Sequence, residues 1–384
     1  MVRQDVFDVI SASLFADRDI GPFDMDAVFA EMKIQGVGAL PGKWLMRHRP
    51  SEAAEWIQYC ALQQGIWIRM MHLQAQVLAL LEDRGIPCVI IKGTAAAMAY
   101  PHPALRPMGD IDLLVKSSDV DAAAAILEAR GYALKGKKDP KAHHYQYVRD
   151  GVMFELHWRM SAMIDADEHW QSLLEYGVDH RVTGTAEGYR FPVLPPVLNG
   201  LVLILHIDHH LRKGIGLRQI VDWMMYIDGL PADVWNDELR PLLREAGMER
   251  FALTVTAMCQ KYLGLRTIVD AVDGYPCDAL MDHIMDSGNF GQKNGFGDRI
   301  TQFMFRGKNG IFRRLQKGGL KRWKAAAKYR ALRPFAWLYQ CFWLIGELVR
   351  HRVKPGALIE HRKKGMEKRE LIDALGLRIK KGIQ

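Results

Sequence analysis

The chain has 384 residues, 49% of them apolar and 25% charged, a balance that excludes disordered and fibrous classes and allows two or three globular domains. Its five cysteines (Cys60, Cys88, Cys259, Cys277, Cys341) form no C-x-x-C pair, which argues against a disulfide framework or zinc ribbon and for a reducing cytosol. The net charge of +8 is uneven: residues 301–384 hold 22 Lys and Arg against 5 Asp and Glu, and residues 1–300 hold 30 against 39, so an anionic partner is expected at the C-terminal end.

Val6, Ile10, Leu14 and Phe15 predict a short helix, and Asp24 to Met32 a second, broken by Gly36 to Gly42. No apolar leader opens the chain, and no apolar run reaches the ~18 residues of a membrane span, so a cytoplasmic protein is expected. Ser51 is a suitable N-cap for a long helical pattern reaching Asp83. Cys88 to Ile91 is a continuous apolar, β-branched run and predicts a buried strand. Lys92-Gly93-Thr94 follows, and Ala95 to Tyr100 continues as helix. Strand, glycine, hydroxyl residue and helix make a layout that aims backbone N–H groups at a phosphate.

Asp110 to Val115 reads as a second strand. Strand side chains alternate, so Asp110 and Asp112 share a face. Two adjacent carboxylates repel unless a cation lies between them, and Mg²⁺ is commonly held by one or two carboxylates plus substrate phosphates. A helix runs from Ser117 or Ser118 to Gly131. His144 to Val148 and Val152 to Trp158 then alternate as strands around Asp150-Gly151, a hairpin signal. Glu155 and His157 share one face of the second strand; a charge there is costly to bury unless it is paired or on a metal.

Thr183 to Pro196 reads as an extended linker, after which the chain becomes helical. His206, His209 and His210 lie on an apolar helix. His206 and His210 have a zinc-compatible spacing but lack a third ligand of convincing spacing, so they read as core residues. Arg218 and Asp222 stand four apart on the next helix and are spaced to pair. Phe335 to Ile345 gives a wide apolar helix face flanked by Arg330, Arg333, Arg350, Arg352 and Lys354. Docking on the protein's own core is the first reading of this face, an anionic membrane surface the second. Nucleic acid ranks third, since no recognised binding motif is present.

Three segments together, Ile91-Lys92-Gly93-Thr94, Leu105-Arg106-Pro107-Met108-Gly109-Asp110-Ile111-Asp112 and Glu155-Leu156-His157-Trp158-Arg159, resemble the DNA polymerase β-like nucleotidyltransferase superfamily. The wording is similar to its uncharacterised bacterial nucleotidyltransferase family, as is Leu205-His206 through Gly216-Leu217-Arg218 to Asp222. The resemblance spans about residues 60–230. It implies an α+β fold: a small mixed sheet with helices, plus helical domains. Gly93 and Thr94 would hold a nucleoside triphosphate, and Asp110, Asp112 and Glu155 would bind two Mg²⁺. Thr94 stands where the superfamily usually has Ser, and Glu155 where Asp is common. Members of this family often accompany polysaccharide or peptide natural-product genes.

In-line nucleotidyl transfer needs positioning and charge neutralisation more than covalent chemistry. Lys92 and Arg106 are candidates to neutralise phosphate, Arg106 bidentately. His157 is a weaker candidate to orient the acceptor or act as base. The expected domains are an N-terminal helical segment at 1–59, a nucleotidyltransferase core at 60–182, a helical domain at 197–285 and a basic helical region at 301–384. The expected activity moves a nucleoside monophosphate from an NTP to a hydroxyl acceptor. The alternative is a catalytically inactive nucleotide-binding or membrane-associated scaffold, with peripheral attachment at the inner membrane face through the basic end.

Overall fold

The computed structural model describes residues 1–139, 142–160, 168–267, 274–293, 311–350 and 355–377. Seven strands form one mixed sheet: β1 (Cys88–Ile91), β2 (Asp110–Val115), β3 (Ala133–Leu134), β4 (His144–Arg149), β5 (Val152–His157), β6 (Val182–Ala186) and β7 (Tyr189–Val193). Their spatial order is β3-β4-β5-β2-β1-β7-β6, with β2 parallel to β5 and β1 parallel to β7. Twelve helices matter for the argument: α1 (Val2–Ser11), α2 (Met25–Ile34), α3 (Gly42–His48), α4 (Ala54–Glu82), α5 (Gly93–Ala97), α6 (Val120–Ala129), α7 (Glu168–Asp179), α8 (Pro196–Leu211), α9 (Leu217–Asp228), α10 (Arg240–Glu245), α11 (Glu249–Leu263) and α12 (Cys277–Ser287).

The strand period of two divides the sheet residues between two cores. Cys88, Ile90, Ile111, Leu113, Val115, Phe154 and Leu156 point to one face and pack with Trp67, Met71 and Val77 of α4 and Ala124 and Leu127 of α6. Val89, Ile91 and Leu114 point to the other, against Leu174 and Val178 of α7 and Leu198 and Val202 of α8. Asp112 lies two residues before Leu114 and therefore projects on this second face, where the apolar cover gives way to polar side chains.

The stretch read as a linker is part of the sheet. Residues 182–193 form the β6–β7 hairpin, whose last strand touches β1 at the pair Ile90↔Val193. Two features disguise it. Glu187 and Gly188 both adopt positive φ, +47° and +82°, a turn for which Asn-Gly or Asp-Gly would have been the signal. Pro192 sits in β7, and proline cannot donate to a ladder. By contrast Asp150 and Gly151, at φ +51° and +74°, make the expected two-residue turn. The long helix begins at Ala54 without a side-chain cap rather than at a Ser51 cap, and runs unbroken across position 60, where the sequence reading set a domain boundary.

The largest core joins distant parts of the chain. Val6, Phe7 and Ile10 of α1, Val28 and Met32 of α2 and Trp44 of α3 pack with α8, α9, α11 and α12. Leu371, Ile372, Leu375 and Leu377, near the C-terminal end, complete it. Arg3 pairs with Asp282, and Arg250 Nε donates to the Ala374 carbonyl at 2.7 Å. Residues 1–59 and 197–285, separate units in the sequence reading, thus share one hydrophobic interior.

The helix Ala336–Arg350 does not dock on that interior through its apolar stripe. It packs on Ile311–Arg322, where a Cβ at Gly319 would overlap the Ala336 carbonyl, and buries only Ala336 and Gln340. Phe335, Tyr339, Phe342, Ile345 and Val349 are exposed, Phe342 by 70% and Val349 by 72%.

Candidate active site

A pocket of about 360 Å³ opens where the second sheet face meets α8 and α9. Its floor is the parallel pair β2–β5, whose register sets Asp112 opposite Glu155 and Asp110 opposite Met153. Asp110, Asp112, Glu155 and His157 all line it. Asp112 is buried and Asp110 half-buried.

One cation already sits among the carboxylates. Lys92 Nζ donates to Asp112 Oδ1 at 2.8 Å and lies 3.2 Å from His157 Nε2. Lys92 holds φ +54° and ψ −126°, a conformation L-residues adopt at a cost of about 1–3 kcal/mol and one that clusters at functional sites. The strained turn aims the side chain of the residue after β1 back over β2. His157 Nε2 stands 2.9 Å from Asp112 Oδ1 and 3.2 Å from Glu155 Oε2, and Gln146 Nε2 donates to Glu155 Oε1 at 2.8 Å.

These neighbours divide the carboxylates. Burial works against the ionised Asp112, but Lys92 and then the His157 hydrogen bond outweigh it and hold its pKa below the ordinary value. Glu155 is likewise penalised by burial and pulled down chiefly by His157. Asp110 has no such partner. Burial, then the charges of Asp112 and Glu155, push it up to about 6. The excess negative charge fits a divalent cation. Asp112, Glu155 and His157 can each offer one ligand atom with all three within 4.8 Å of one another.

Two expected phosphate contacts go elsewhere. Arg106 is 4% exposed, and its fork is closed on Asp222: Nε to Oδ1 and Nη2 to Oδ2, both 2.7 Å. Tyr100 donates to the same Oδ1 at 2.7 Å. Asp222 is therefore the partner of Arg106 and not of Arg218, although Arg218 has the helical spacing. Thr94 donates its hydroxyl to Gln74 Oε1 of α4 at 2.7 Å and is buried away from the pocket; Gly93 lines it. The short helix α5 starts at Gly93.

Arg218 takes the position that Arg106 leaves. It lines the pocket, its guanidinium lies 5.4 Å from the Phe290 ring centre, and its buried Nε has no hydrogen-bond partner among the described residues. Its Nη1 donates to the Pro107 carbonyl over a long 3.4 Å. Burial, and secondly the nearby Arg106, lower its pKa.

Histidines form the remaining wall: His143 just before β4, His144 from β4, His157 from β5, and His206, His209 and His210 from α8. The three on α8 face the site instead of serving as plain core. His143 and His144 escaped the sequence reading, yet the Asp150-Gly151 turn carries the signal. Counting outward from a two-residue turn pairs Gln146 with Glu155 and His144 with His157, the observed register.

The histidines make stability pH-dependent. Burial is the first cause in each case, pushing His143 and His209 down to about 3 and His144 and His210 to about 4. Above about pH 6.5 the unfolded chain leaves imidazole neutral too, so the cluster costs nothing. As pH falls toward 4 the unfolded chain takes up protons that the folded one refuses, and stability drops. Asp110 opposes this, because its raised pKa favours the folded state as pH falls through 6. With four imidazoles against one carboxylate, the urea midpoint in chelator should fall between pH 7 and pH 5, and less steeply in His209→Gln/His210→Gln. A double variant as steep as the native chain would refute this.

The family model described as "Uncharacterised nucleotidyltransferase" matches residues 22–264, well over half of the sequence. The chain belongs to the uncharacterised nucleotidyltransferase family. It is an enzyme of nucleotidyltransferase type. Two solved structures show some similarity to this nucleotidyltransferase. One is the antibiotic-resistance factor ANT(2'')-Ia, at 15% identity and a TM-score of 0.33, covering 46% of this chain and 92% of that one. The other is an antigenic nucleotidyltransferase-like protein from Paracoccidioides brasiliensis, at 17% identity and 0.33, covering 53% and 95%. No curated protein matches this nucleotidyltransferase. Among its described residues no helix is long and apolar enough to cross a membrane.

Proposed function

We propose that this nucleotidyltransferase moves a nucleoside monophosphate from an NTP to a hydroxyl group, with Mg²⁺ as the metal. The observation that carries the reading is the register Asp112↔Glu155 on adjacent parallel strands, with Asp110 on the same pocket wall. Asp110, Asp112 and Glu155 would hold two Mg²⁺, which when bound supply the positive charge that draws the α-phosphate and the acceptor oxygen together. Arg218, with its unpartnered Nε, meets triphosphate charge in place of Arg106. Lys92 holds Asp112 and lines the pocket that phosphate would enter, and Gly93 lines it beside Lys92. His157, buried among the carboxylates, orients them rather than approaching the acceptor. The bond formed joins the acceptor oxygen to the α-phosphorus, the bond broken frees pyrophosphate, and the hydroxyl proton passes to the carboxylate cluster.

Natural-product or polysaccharide hydroxyls are the acceptor class to try first. The test follows pyrophosphate with each NTP, Mg²⁺ and a panel of sugar, peptide and RNA hydroxyls. Turnover supports the reading. Tight nucleotide binding without turnover for any acceptor favours a non-catalytic scaffold.

The exposed stripe of the C-terminal hairpin supports a location as well. Phe335, Tyr339, Phe342, Ile345 and Val349 follow one another at intervals of three and four, and so share one helix face. Residues 311–350 carry ten Lys and Arg against one Glu. Apolar aromatics edged by cations are the signature of a helix lying in an anionic bilayer surface, each nearby Lys or Arg contributing about 1 kcal/mol. The full chain should co-sediment with phosphatidylserine-containing vesicles, release in salt, and lose binding in Phe342→Asp/Val349→Asp. Binding indifferent to lipid charge would sink the idea.

A further inference from the structure

We propose that His143, His144 and His157 form a second cation site beside the carboxylate centre, one that takes Zn²⁺ rather than Mg²⁺. Each ring can offer one nitrogen such that all three lie within 4.8 Å of one another. The ring centres of His143 and His157 are 4.2 Å and 4.9 Å from that of His144.

The second observation is how two of the rings are anchored. His157 directs Nε2 at Asp112 and Glu155, and His144 directs Nε2 at Glu155 Oε1, 3.5 Å away. The Nδ1 atoms of both rings are buried and have no hydrogen-bond partner among the described residues. His157 itself is 2% exposed. A buried polar atom left without a partner is uncommon and calls for an explanation. An imidazole with one nitrogen held by a carboxylate and the other left for the ion is how metal-ligating histidines are built. The carboxylate fixes the tautomer, so that the second nitrogen carries its lone pair toward the ion. With Nε2–H donated to Asp112, His157 presents Nδ1 in that form.

Ligand chemistry decides the ion. Three neutral imidazoles suit a borderline cation such as Zn²⁺, whereas Mg²⁺ needs oxygens. Three protein nitrogens leave a fourth position for a ligand, and all three residues line the pocket. His157 would then link the two centres, Nδ1 on the ion and Nε2–H donating to the Asp112 carboxylate of the other. The site is distinct from the Mg²⁺ centre proposed above, and its test is separable from nucleotidyl transfer.

The experiment titrates the full chain with Zn²⁺ against a chromophoric chelator in excess Mg²⁺, and reads Co²⁺ absorption as a coordination probe. One Zn²⁺ per chain is expected, undisplaced by Mg²⁺. His143→Ala and His144→Ala should each weaken it by at least about tenfold and remove the Co²⁺ visible bands, with the circular dichroism of the folded chain retained. His144→Gln serves as a second, milder variant should His144→Ala fail to fold. Asp110→Ala, which should stop turnover, should leave Zn²⁺ affinity unchanged. The proposal is overturned if no stoichiometric Zn²⁺ binds, if the histidine variants bind like the native chain, or if Mg²⁺ or Asp110→Ala displaces the ion.

Discussion

Asp112→Asn should reduce pyrophosphate release by roughly 10³-fold, because a metal ligand in a phosphoryl-transfer site stabilises transition-state charge by several kcal/mol and each 1.36 kcal/mol is a factor of ten. The substitution changes no volume, so its effect is electrical. The ammonium of Lys92 and Nε2 of His157 both lose a charged acceptor at 2.8–2.9 Å. The native carboxylate is held ionised by those two neighbours, whereas the amide cannot ionise at any pH. Raising Mg²⁺ should recover little, since the missing ligand is internal to the site. Retention of a tenth or more of the native rate would remove Asp112 from the centre of the reaction.

The second large effect is on stability. Asp222→Ala should cost about 3–5 kcal/mol, because it leaves the buried Arg106 guanidinium without its carboxylate. Typical domains have only about 5–15 kcal/mol in total. The loss falls where α9 meets the loop into β2, because Arg106 opens the run Pro107-Met108-Gly109 that delivers Asp110. Arg106→Met/Asp222→Leu should restore most of the stability, since a matched apolar pair leaves no orphaned charge. A urea midpoint for Asp222→Ala within about 1 kcal/mol of native, the range of exposed pairs, would contradict this account.

Much of the sheet was legible because a period of two is a strong constraint. It assigned Asp110 and Asp112 to one face, and the parallel β2–β5 register then brought Glu155 beside Asp112. What pairs with what across the molecule was not legible. Arg218 and Asp222 have a valid helical spacing, but Arg106 brings a planar fork to the same carboxylate from more than a hundred residues away and takes both oxygens. Thr94 has the right neighbours for a phosphate, yet Gln74 of α4 claims its hydroxyl. The apolar face of Ala336–Arg350 could not be told from a core face by composition, because amphipathicity fixes a side to cover and not what covers it.

The core shared by the two chain ends has a consequence for synthesis. Helix α1 is made well before its partner, since Arg3 meets Asp282 across a separation of 279 residues. At about 5–20 residues per second, that partner follows on the order of a quarter of a minute to a minute later. Throughout that interval Val6, Phe7 and Ile10 have α2 and α3 for cover but lack α11 and α12. Helix α1 therefore waits partly uncovered, and the sheet, assembled from residues 88–193, is complete before that core closes.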